Sequence, residues 1–66
     1  MSLVTKPNLD DGDGFYADLL AAHDGLSEGA SHRLNAQLVL ILANHIGERA
    51  VLAEALALAR TDLSET

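Results

Sequence analysis

The chain has 66 residues, with ten acids against four Lys and Arg, a net charge of −6 and a pI near 4.6. Phosphate backbones are met by clustered bases, whereas Lys6, Arg33, Arg49 and Arg60 are scattered, so the balance argues against nucleic acid and anionic membrane surfaces alike. No cysteine is present, which removes disulfides and thiolate metal sites.

A single domain of this size buries only about 60% of its unfolded surface. Small domains usually compensate with disulfides, a metal or oligomerisation. With the first gone, oligomerisation is the expected route. The absent cysteines also suit a reducing cytoplasm, and the N-terminal residues show acids rather than the apolar core of an export signal.

Residues 1–11 read as a flexible acidic arm. Pro7 biases Lys6 away from helix, and Asn8, Asp10, Asp11, Gly12, Asp13 and Gly14 are turn formers. The acids invite a calcium-loop reading, which needs a glycine at the sixth position and alternating oxygens before it. Placing Gly12 sixth puts Pro7 first, and placing Gly14 sixth puts Leu9 first. Both registers fail, so the acids are read as solvated helix caps.

A single helical domain is expected over residues 12–60. Its first helix should run over about residues 13–23, with Asp13 the favoured cap and Asp11 its competitor. Phe15, Leu19 and Ala22 make its apolar stripe, flanked by Tyr16 and Leu20. Phe15 is the expected anchor. At the joint, Gly25 suits a left-handed position past the helix end, and Leu26 should fold back on Leu20. Ser27 then caps the next helix.

The central helix, about residues 28–46, begins polar and ends apolar on every side. Its run Leu38-Val39-Leu40-Ile41-Leu42-Ala43 cannot hide on one face. Leu34, Leu38, Ile41, Leu42 and His45 share one face; Ala36, Val39, Leu40 and Ala43 share the opposite one. Gly47 should break the helix left-handed, because a hairpin lets Val51, Leu52, Leu56 and Ala59 of a third helix (about residues 48–60) cover one face of the run. The alternative, one continuous helix, would cost only about 1 kcal/mol at Gly47 relative to alanine. Residues 61–66 read as a frayed tail.

Chemistry is thin. Glu28 and His32 are four apart on one helix face and suit an ion pair. His23, His32 and His45 could supply zinc ligands, but they fall at different levels of the helices, so no metal site is expected. His45 suits a hydrogen-bonded place at an interface. No serine has a histidine and an acid in the arrangement a nucleophile needs. No catalytic residue or cofactor is expected, and the chain reads as a non-catalytic module.

The segments FYADLLAAHDGLS, LNAQLVLILANHIG and AVLAEALALAR resemble a family of short uncharacterised proteins, a domain of unknown function found chiefly in proteobacteria. The resemblance runs from about Pro7 to Arg60. It implies a small cytoplasmic protein without assigned activity, and weakly implies work beside a flavin-dependent or aromatic-compound oxygenase, as an accessory subunit. The family's known properties place no catalytic residue on this chain.

The fold expected is therefore all-α: a short helix, a long central helix and a C-terminal helix, completed by a symmetric homodimer. The interface should centre on Val39 and Leu40, with Ala36 and Ala43 permitting close approach and Leu58 adding to the patch.

Overall fold

Two left-handed glycines, Gly25 at φ 78° and Gly47 at φ 73°, divide the chain into three helices. The structure is a computed structural model that describes residues 2–61 and 63. Its elements are α1 Gly12–His23, α2 Glu28–Ile46 and α3 Arg49–Arg60. No strand occurs among the described residues, so the protein is all-α.

The cap of α1 is Asp11 rather than the favoured Asp13. Asp11 sits at φ 49°, a left-handed conformation that Asp tolerates better than most side chains. From there its carboxylate accepts from the Gly14 amide at 3.0 Å, and its carbonyl accepts from the Phe15 amide at 3.0 Å. Asp13 lies inside the first turn, where its charge still faces the positive end of the helix.

After α1 the chain turns tightly. Asp24 has φ −59° and ψ 131°, Gly25 has positive φ, and the Leu26 amide donates to the His23 carbonyl at 3.1 Å. These are the marks of a type II turn, which needs glycine at its third position. Leu26 and Leu20, expected to meet across the joint, are 41% and 54% exposed. The Ser27 hydroxyl then accepts from the Ala30 amide at 3.1 Å and starts α2.

At the far end of α2 the Gly47 amide donates to the Ala43 carbonyl at 2.8 Å, closing the last turn. Glu48 follows in extended conformation and α3 begins one residue later. The break is therefore real, and α2 and α3 form a hairpin.

Packing is sparse. Among the described residues only Val51 is buried, at 6% exposed. Leu3, Leu19, Leu34, Leu38, Leu52 and Ala55 are half-buried. Phe15, the expected anchor, is exposed, and Leu19 takes the inner position of α1. The N-terminal arm returns to α3, where the Leu3 amide donates to Glu54 Oε2 at 3.5 Å. No two helices pack along an extended stretch.

The consequence shows in size. The chain exposes 5947 Å², against about 4,000 Å² for a compact monomer of this mass. Its radius of gyration is 13.8 Å, against about 11 Å for a compact chain of this length. Of the expected tail at 61–66, only Thr61 and Leu63 lie among the described residues.

Candidate functional site

The hairpin opens away from Gly47 and leaves an apolar groove of about 400 Å³ between its helices. From α2 it is lined by Val39, Leu42, Ala43 and Ile46. From α3 it is lined by Leu52, Ala55, Leu56 and Ala59. All eight are aliphatic, and no polar side chain enters the lining.

The two sets share one spacing. Each follows i, i+3, i+4, i+7, the stripe a helix shows to a neighbour at its core. On α3, Val51 and Leu52 near the turn are withdrawn, while Leu56, further along, is 66% exposed; on α2, Ile46 beside the turn is 50% exposed. Leu56 and Ala59 line the groove but stay exposed, so they do not cover the run as expected.

The residues expected at an interface divide. Val39 and Ala43 line the groove, Val39 at 60% exposed and Ala43 half-buried. Ala36, Leu40 and Leu58 are exposed outside it. Ile41 and His45, placed on the inner face by the periodicity, are exposed as well. Leu42, Ile46, Leu56 and Ala59 are exposed in the groove lining and stand outside the expected patch. The sequence carries the signal for them, since both helices repeat the same spacing.

His23 Nε2 lies 3.1 Å from Asn35 Oδ1, tying the end of α1 to the first half of α2. Among the described residues, no group of three His, Asp or Glu comes together closely enough to hold a metal ion. No helix among them is long and apolar enough to cross a membrane.

The family model described as "Protein of unknown function (DUF2783)" matches residues 3–61. The chain belongs to this family. The match takes in all three helices and the half-buried Leu3 of the arm, so the DUF2783 unit includes the contact between the arm and α3. No curated protein and no solved structure matches the chain.

Proposed function

We propose that this member of DUF2783 is a non-catalytic interaction module that completes its core by self-association. The observation that carries the reading is the surface surplus. The chain exposes 5947 Å², roughly 1,900 Å² beyond a compact monomer. Part of that surplus belongs to the arm and tail, but the hairpin's aliphatic side chains contribute too: Val39, Leu40, Ile41, Leu56 and Leu58 are all more than half exposed. Apolar side chains exposed in this number favour association. The acidic composition without cysteine suits work in a reducing cytoplasm.

Sedimentation equilibrium tests the reading. The expected result is a mass twice that of the chain at micromolar concentration. A folded monomer throughout that range would overturn it. The surface would then belong to a different protein, for which the flavin-dependent or aromatic-compound oxygenase suggested by the family resemblance is the partner to try by copurification.

A further inference from the structure

The groove presents the side-chain spacing of half a helix bundle. In a four-helix bundle each helix turns an i, i+3, i+4, i+7 stripe to a shared core, and facing side chains interdigitate. Here α2 and α3 each present that stripe, and their stripes meet along one groove. Two further helices with matching stripes are missing. We propose that they are α2 and α3 of a second copy, seated hairpin to hairpin, so that the groove becomes the core of a dimeric four-helix bundle. This rests on the self-association proposed above and assigns it a surface, a partner element and an architecture.

Three observations favour a second copy as the occupant. The first is area. A standard interface takes about 800 Å² from each partner, within the roughly 1,900 Å² by which the whole chain's exposed surface exceeds that of a compact monomer.

The second is charge. Six acids precede residue 29 (Asp10, Asp11, Asp13, Asp18, Asp24 and Glu28) against the single Lys6. Between residues 29 and 61 three arginines, Arg33, Arg49 and Arg60, face two glutamates, Glu48 and Glu54. The hairpin is thus close to neutral although the chain is strongly acidic. Two hairpins can approach without the repulsion that two α1 segments would meet. A basic partner helix would instead call for acids on the groove, and the groove has none.

The third is access. Glu54, which holds the Leu3 amide, falls on the side of α3 away from the groove stripe at helical spacing. The arm therefore fastens behind the hairpin and leaves the groove open. Within the groove, Ala43, Ala55 and Ala59 are small enough for helices to draw close, with Ile46 and Leu56 as the large side chains to be buried.

The deciding measurement uses the unmodified chain. A mixed sample of isotope-labelled and unlabelled protein would be examined for methyl contacts between copies by filtered nuclear Overhauser spectroscopy. Contacts from Ile46, Leu56 and Ala59 are expected. Contacts confined to Leu40 and Ile41 would overturn the groove while leaving self-association intact, whereas a monomeric sample would remove self-association itself. Variants give the second arm. Leu56→Glu, at a largely exposed site, should halve the sedimenting mass, and Leu40→Glu should leave the dimer in place. Dissociation by Leu40→Glu alone would also overturn the proposal.

Discussion

Asp11 and Gly14 act as a unit at the start of α1. The Asp11 carboxylate folds over the Gly14 amide, and a Cβ built at Gly14 would collide with that carboxylate. The glycine is there to leave room for the cap, although glycine within a helix costs about 1 kcal/mol relative to alanine. Asp11→Ala should therefore cost about 1 kcal/mol, the usual worth of a cap. Gly14→Ala should bring no gain in the wild type, since the new methyl displaces the cap. In the Asp11→Ala background the same change should stabilise by about 0.5–1 kcal/mol. Urea unfolding of the four proteins measures the coupling. Strict additivity would show that the carboxylate and the glycine are independent. The sequence narrowed the cap to Asp11 or Asp13 but favoured Asp13. The choice turned on Asp11 taking a left-handed backbone, which a residue's identity permits but does not announce.

At the scale of the elements, the glycines carried most of the information. Gly25 and Gly47 were readable as breaks because each follows an apolar stripe and precedes a fresh cap, and both have positive φ. The bounds of α2 were equally legible, since Ser27 supplies an acceptor at one end and Gly47 a left-handed residue at the other. Less legible was how far the hairpin would close. Periodicity gives the face of a helix but not its distance from a neighbour, so Leu56 was expected to be covered and stands 66% exposed. The glycines yield a paired prediction. Gly47→Ala should destabilise by about 1–2 kcal/mol, because a left-handed backbone is strained for any residue with a Cβ. Gly29→Ala should do the reverse. It lies in the first turn of α2, nothing stands within 4 Å of the position its Cβ would take, and helix propensity favours alanine by about 1 kcal/mol. Thermal or urea unfolding separates them. A neutral Gly47→Ala would mean that α2 and α3 can run on as one helix.

For the whole molecule, the sequence shows an imbalance: six consecutive apolar residues in a chain too short to bury them. It could not say where the uncovered surface would lie, because that depends on the opening between α2 and α3. Periodicity sets Ala36, Val39, Leu40 and Ala43 together on the face expected to be open, whereas in the structure Val39 and Ala43 line the groove and Leu40 lies outside it. The imbalance has a thermal signature. If folding and association are coupled, diluting the protein draws the equilibrium toward unfolded chains. A tenfold rise in concentration adds about 1.4 kcal/mol per mole of dimer at 25 °C. Two 66-residue chains unfold with an entropy of roughly 2.1 cal/mol/K per residue. The ratio gives a melting temperature that climbs by about 5 °C for each tenfold rise in concentration. Calorimetry across two decades of concentration should resolve that slope easily. A melting temperature independent of concentration, with folding still cooperative, would mean that one chain is stable by itself although Val51 is the only buried side chain among the described residues. The exposed groove would then be a surface the protein tolerates rather than one it must fill.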